Sequence, residues 1–224
     1  MDRARPAAIG PRPPFGRGKP AGVLWHRADA RAGPPLEHRP IVFETRIHGR
    51  GGQGVVTAAE LLSLAAFDDG LHAQAFPSFG SERTGAPVVA FCRVDDRPIR
   101  TREPIAAPHA LIVQDATLLH QVAVFAGLRE DGLVLVNSHR TAAELGLADL
   151  AARVITVPAS DFARAELGRP LPNAALLGGF AALSGVIGFE ALARAIAESF
   201  PGPVADANIA AAGRARAHVE LVSC

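Results

Sequence analysis

His48-Gly49-Arg50-Gly51-Gly52-Gln53-Gly54 lies between an apolar run, Ile41 to Ile47, and an amphipathic one that begins at Val55. Its glycines fall in the order G-x-G-x-x-G, at Gly49, Gly51 and Gly54. Positions without a side chain let backbone N–H groups close on an anion where a strand turns into a helix. A tight strand-to-helix turn with no ligand uses the same residues, so this loop decides the fold before it decides a function.

Working outward, strands and helices alternate. Ile41 to Ile47 reads as a strand, and Val55 to Phe67 as a helix with apolar residues at Val55, Ala58, Leu61, Leu62 and Ala65, stopped at Asp68-Asp69-Gly70. Short strands are expected at His72 to Phe76 and Val88 to Val94, the latter closed by Asp95-Asp96-Arg97-Pro98. The continuous apolar run Ala110 to Val113 has the pattern of a buried parallel strand. A helix from Thr117 to Phe125 and strands Leu133 to Val136 and Val154 to Val157 follow. Helices are then expected at Ala159 to Leu167, Asn173 to Ile187, Glu190 to Glu198 and from about Ala205. The pattern predicts an α/β fold: a mostly parallel, Rossmann-like sheet, helices on both faces and a helical C-terminal part.

Residues 1–40 are a separate region. They carry eight basic and three acidic residues, a net of +5, are crowded with Pro, Gly and Ala, and show neither period. We read them as a disordered extension preceding a domain over 41–224, because such a composition buries too little surface to offset chain entropy. The remaining chain has 15 basic and 19 acidic residues, a net of −4, which argues against nucleic-acid binding. The uncharged, Gly- and Ala-rich stretch Asn173 to Phe189 is shorter than the roughly 20 apolar residues of a bilayer span and reads as a buried helix.

Several chemistries drop out on residue type. The single lysine is Lys19, so the body has neither a Walker A lysine nor one for a Schiff base. Cys92 and Cys224 cannot ligate a cluster or form a zinc pattern, and the low cysteine content suits a reducing cytoplasm. Cys92 lies in an apolar run and reads as a buried structural thiol. The eight histidines show no ligand spacing. His48 is expected to meet solvent or backbone at a strand end. Asp115 is either a polar group at the functional edge of the sheet or the N-cap of the following helix.

A dinucleotide fold would place an acid at the end of the second strand, to hold ribose hydroxyls. His72-Ala-Gln-Ala-Phe76 has none, so NAD binding is disfavoured. A second loop stands in its place, Pro77-Ser78-Phe79-Gly80-Ser81-Glu82-Arg83-Thr84-Gly85-Ala86-Pro87. It falls at the carboxyl edge of the sheet, beside the glycine loop if both follow strands of one sheet. Ser78, Ser81 and Thr84 supply hydroxyls, Gly80 and Gly85 flexible backbone, and Arg83 a bidentate cation, a set suited to a phosphorylated ligand. A capping and turn segment with a surface Glu82–Arg83 pair has the same composition.

The two loops, the alanine-rich helix after the first, and the Asn173-Ala-Ala-Leu-Leu-Gly178-Gly179 helix start together resemble the gamma subunit of 2-oxoacid:ferredoxin oxidoreductases, with the pyruvate and branched-chain (ketoisovalerate) members closest. The resemblance runs from Ile41 to the last helix. It implies a multisubunit enzyme of the EC 1.2.7 type, inactive as a single chain, that decarboxylates a 2-oxoacid, pyruvate foremost, to an acyl-CoA and reduces ferredoxin. It further implies alpha, beta and delta partner subunits that hold thiamine diphosphate, magnesium and iron–sulfur clusters, with coenzyme A as cosubstrate and no cofactor bound by this chain alone. Gly49, Arg50, Gly51, Gly52, Gln53, Gly54, Ser78, Ser81, Arg83, Thr84 and Gly85 then either touch CoA phosphates or brace a neighbouring subunit. No catalytic residue or metal ligand is expected here. The alternatives are a stand-alone nucleotide-binding oxidoreductase domain and a purely structural assembly subunit.

Overall fold

The computed structural model describes residues 42–78 and 84–223; the extension expected over 1–40 lies outside them. Six strands form one sheet: β1 (Val42–Arg50), β2 (His72–Pro77), β3 (Pro87–Asp95), β4 (Ala110–Val113), β5 (Leu133–Asn137) and β6 (Arg153–Val157), in the order β2-β3-β1-β4-β5-β6. Pairings β1–β4, β4–β5 and β5–β6 are parallel, whereas β3 runs antiparallel to both β1 and β2. The helices are α1 (Val55–Asp68), α2 (Ala159–Leu167), α3 (Asn173–Ser184), α4 (Phe189–Ser199) and α5 (Gly202–Val222). The expected α/β class and mostly parallel sheet are therefore found, with element ends shifted by one to three residues.

Strand alternation explains how the faces are filled. Along β4, Ala110 and Ile112 join the larger core, while Leu111 and Val113 join a smaller one on the opposite face. The larger core contains buried residues of all five α-helices, including the fully buried Leu176, Leu177 and Phe180 of α3. At ~1.5–3 kcal/mol for each large side chain removed from water, α3 is held by packing and needs no capping side chain. It lies so close to α5 that a Cβ on Gly178 would overlap the Ala212 carbonyl.

The second face has a different cover. The helix expected over Thr117 to Phe125 is a 3-10 turn, Ala116–His120, followed by irregular chain. Arg46, buried on β1, explains the change. Its Nη2 donates to the carbonyls of Val124 and Ala126, both at 2.7 Å, which draws that segment inward. Gly127 (φ 72) then passes so near the Ala106 carbonyl that no side chain would fit. The helix expected to reach Ile187 ends at Ser184, because Gly185 takes the left-handed C-cap conformation (φ 58).

Candidate phosphate-binding edge of the sheet

From β1 the chain leaves toward β3 and β2, whereas β4 leads to β5 and β6 on the other side. Neighbouring strands that part in this way open a crevice at their carboxyl ends. The glycine loop lies there. Gly54 is the N-cap of α1 in the left-handed conformation (φ 72), with no capping side chain. The first helical bond of the turn is Ala58 N–H to Gly54 O, which leaves the N–H groups of Val55, Val56 and Thr57 without intrahelical acceptors. A cavity of ≈ 250 Å³ opens over this turn, lined by Arg50, Gly51, Gly52, Gly54, Val55 and Thr57 among others. Gly52 (φ 93) is exposed, with open space where a Cβ would stand. Uncapped N–H groups and the positive end of a helix are the usual seat of a phosphate.

The second loop meets the first through the antiparallel β1–β3 pair, which sets Pro87 opposite Arg50. Gly51 N–H donates to Ala86 O at 2.9 Å, Gly85 N–H to Gly51 O at 3.1 Å, and Thr84 bridges to Gly51. Gly85 holds φ 81, which a side chain would strain. Ser78 is exposed, its N–H donating to Val89 O. Of the residues expected in the site, Gly49 to Gly54, Thr84 and Gly85 thus come together, with Ser78 at the start of the second loop. Ser81 and Arg83, with the Glu82–Arg83 pair, lie outside the described residues.

Arg50 faces inward. Its guanidinium donates to Asp115 Oδ2 (2.9 Å), Gly85 O (3.1 Å), Thr117 Oγ1 (2.7 Å) and Gln121 Oε1 (2.7 Å). The same Asp115 oxygen accepts from Gln53 Nε2, and Gln53 Oε1 accepts from Arg50 N–H. Arg50 therefore ties the glycine loop, the second loop and the end of β4 together. Asp115 is the N-cap considered for it: its Oδ1 caps the 3-10 turn at Thr117 N, while its Oδ2 anchors Arg50. Burial alone would raise the Asp115 carboxyl, but hydrogen bonds from Thr117, Gln53 and Arg50 outweigh it and hold the group below its ordinary value.

Three residues beneath the loop were not expected in the site. Gln114 is buried, with neither amide atom partnered among the described residues, and its Oε1 would lie 3.1 Å from a Cβ on Gly49. Asn173 opens α3 directly behind the loop, where a Cβ on Gly54 would lie 2.5 Å from its Nδ2. Both are polar residues in apolar runs, the only sequence signal Gln114 carries; Asn173 also opens the helix start that belongs to the family resemblance, though with no site role attached to it. For His48 the solvent alternative of the expectation fails. Instead of meeting solvent it is 5 % exposed, and its Nε2 has no partner among the described residues. Burial, aided by the Arg46 charge, lowers its pKa to about 4, so it is neutral at physiological pH.

Cys92 is fully buried, as expected of a structural thiol, and desolvation raises its thiol to about 12. Among the described residues no group of three His, Cys, Asp or Glu side chains converges on a metal position, and no helix is long and apolar enough to cross a membrane.

Comparison with known proteins agrees with this architecture. The family model for pyruvate ferredoxin/flavodoxin oxidoreductase matches residues 44–218. The pyruvate synthase subunit PorC of Methanothermobacter marburgensis is 47% identical over 171 residues, covering 76% of this chain and 94% of that protein. The common gamma subunit of the pyruvate/ketoisovalerate oxidoreductases of Thermococcus litoralis is 44% identical over 176 residues, 78% of this chain and 95% of that one. The crystal structure of the pyruvate oxidoreductase subunit PORC of Thermotoga maritima superposes with a TM-score of 0.71 at 36% identity, covering 80% of this chain and 97% of that chain.

Proposed function

Because the chain belongs to the pyruvate ferredoxin/flavodoxin oxidoreductase family, as a gamma-type subunit of such a complex, we propose that it forms the coenzyme A side of an enzyme converting pyruvate to acetyl-CoA. On this reading the glycine loop and the first turn of α1 hold CoA phosphates through backbone N–H groups. Arg50 and Asp115 fix the loop rather than contact the ligand. Thiamine diphosphate, magnesium and the clusters belong to alpha, beta and delta partners, ferredoxin takes the electrons, and the complex works in the cytoplasm. The names of the relatives support pyruvate as substrate.

The observation that carries the proposal is the uncapped, glycine-lined first turn of α1 over an open cavity. Gly52 offers a clean test, because a side chain there meets no neighbour and Asn and Asp tolerate positive φ comparably. In the reconstituted complex Gly52→Asp should raise the CoA KM about tenfold relative to Gly52→Asn, through repulsion of phosphate at close range. Equal KM values for the two variants would refute phosphate binding at this loop.

The bracing alternative rests on a separate observation. Leu64 (42 % exposed) and Phe67 (55 % exposed) stand on the outer side of α1, and exposed large apolar groups side by side are typical of subunit contacts. If Leu64→Lys disrupts assembly while Gly52→Asp leaves the CoA KM unmoved, α1 braces a neighbour and does not hold the cosubstrate.

A further inference from the structure

The two edges of the sheet are finished differently. At the β6 edge, Arg153 N–H donates to Gly132 O and Val157 O accepts from Ser138 N–H, both at 2.9 Å, so these residues face β5 and Thr156 turns outward. His218 of α5 meets the Thr156 carbonyl at 3.1 Å, so the chain covers this edge itself. At the β2 edge, Ser78 N–H donates to Val89 O at 2.8 Å, which sets the phase of the antiparallel β2–β3 ladder. Gln74 and Phe76 therefore turn their backbone groups to β3, whereas Ala73 and Ala75 turn theirs outward. No described residue bonds to those outward groups.

Open edges are normally blunted by a charged residue, a bulge or a covering element, because they invite another strand. β2 has none of these among the described residues. Its six residues, His72-Ala-Gln-Ala-Phe-Pro77, include no Asp, Glu, Lys or Arg, keep regular register with β3, and place a proline only at the last position. The side chains of Ala73 and Ala75 pack on the α1 side of the sheet and leave room for larger neighbours. A groove of ≈ 430 Å³ along α1 reaches Ala75, with Leu64 and Phe200 beside Ser63 and Glu60. Glu60 is exposed and has no ion-pair partner among the described residues.

We propose that an extended segment of a neighbouring subunit adds to β2 as a further strand of the sheet. A strand backbone supplies donors and acceptors at the spacing that Ala73 and Ala75 present. The segment turns apolar side chains toward α1, over the two alanines and against Leu64, and one lysine or arginine meets Glu60. A second copy of β2 fits less well, since it brings neither lysine nor arginine to Glu60 and its Pro77 has no N–H to donate. The inference rests on the chain being one subunit of a larger enzyme, not on the CoA reading of the glycine loop.

The test reads single amides by hydrogen–deuterium exchange in the reconstituted complex. Ala73 and Ala75 should be slowed about 100-fold or more relative to open chain, as Gln74 and Phe76 are. Fast exchange at Ala73 and Ala75 beside slow exchange at Gln74 and Phe76 overturns the proposal, because the edge is then open. This pattern is read on the unaltered chain and needs no variant to fold. Ala75→Pro removes an outward N–H and leaves the β3 ladder intact, while Glu60→Lys reverses the charge in the groove. Each should weaken retention of the subunit about tenfold or more, measured by native mass spectrometry across a dilution series. Unchanged retention in both variants overturns strand addition even if Ala75 is protected. Benzoylphenylalanine at Ser63 should cross-link to one segment of another subunit; cross-linking to a second copy of this chain overturns the partner assigned. Gly52→Asp, read through the CoA KM, bears on the glycine loop alone, so the two readings fail separately.

Discussion

Replacing Arg50 by alanine should destabilise the chain, and the size of the effect distinguishes a strut from a ligand-binding cation. Arg50 and Asp115 are 23% and 17% exposed at the side chain, so their 2.9 Å ion pair is partly shielded from solvent. A surface pair is worth ~0–1 kcal/mol and breaking a buried one costs ~3–5, which places this pair between the two. The bonds to Thr117, Gln121 and Gly85 are more exposed and count at the low end for charge-assisted hydrogen bonds. Together these give a loss of about 2–4 kcal/mol, a fall in Tm of roughly 5–15 °C for a domain of this size.

Asp115→Asn is the matching change, because the amide oxygen still caps Thr117 N while the charge is removed. The Arg50→Ala/Asp115→Asn cycle, followed by urea unfolding, should show a coupling of about 1–2 kcal/mol. In Arg50→Ala the second loop should also be cut faster by protease, since one of its ties to the glycine loop is gone. Additive effects, or a loss below about 0.5 kcal/mol for Arg50→Ala, would refute the strut. Such a result, with a raised CoA KM, would mean that the guanidinium leaves Asp115 to meet the ligand.

Gly54→Ala should cost about 2–3 kcal/mol in urea unfolding, from the left-handed φ and displacement of Asn173, and Asn173→Ala in that background should recover part of it. His48, with a folded pKa of about 4 against an ordinary 6.5, takes up its proton first in the unfolded chain. Stability should therefore fall as pH drops from about 6.5 to 4, by about 3 kcal/mol from this group, and His48→Gln should flatten that slope in a pH series of unfolding midpoints. Cys92 should resist a thiol reagent at neutral pH in a Cys224→Ser chain and react only when urea unfolds it; prompt labelling of the native chain would contradict its burial and raised pKa.

Period and punctuation made most of the fold legible. The apolar runs at Ala110 to Val113 and Leu133 to Val136 had to be buried on both faces, and Asp68-Asp69-Gly70 had to stop α1. The segment after Asp115 misled because its apolar spacing suits a helix, while a partner 78 residues away in sequence, Arg46, draws the Val124 carbonyl inward. No local pattern records a contact of that range. The glycine loop was legible because anion binding by backbone requires glycine in a set order. Gln114 was not, because a lone amide in an apolar run has the same sequence signature whether it is idle or placed under a loop; the Asn173 helix start was visible as a motif, but nothing local places it behind Gly54.

The antiparallel β3 is what makes one site of two loops. Had β2 and β3 been joined by a helical crossover, the Ser78–Pro87 segment would have been spread along a parallel unit and would not have ended opposite Arg50. A direct reversal places Pro87 across from Arg50 and lets Gly85 and Ala86 pair with Gly51 through backbone alone. Those backbone bonds survive any side-chain change, so Arg50→Ala should loosen the second loop without detaching it. Gly85→Ala, which strains φ 81 where Gly85 N–H meets Gly51 O, acts on the backbone junction itself. If the loops act as one phosphate site, Gly85→Ala should raise the CoA KM more than Arg50→Ala does, although it removes no charge. The reverse order would show that the cation, not the paired backbone, holds the ligand.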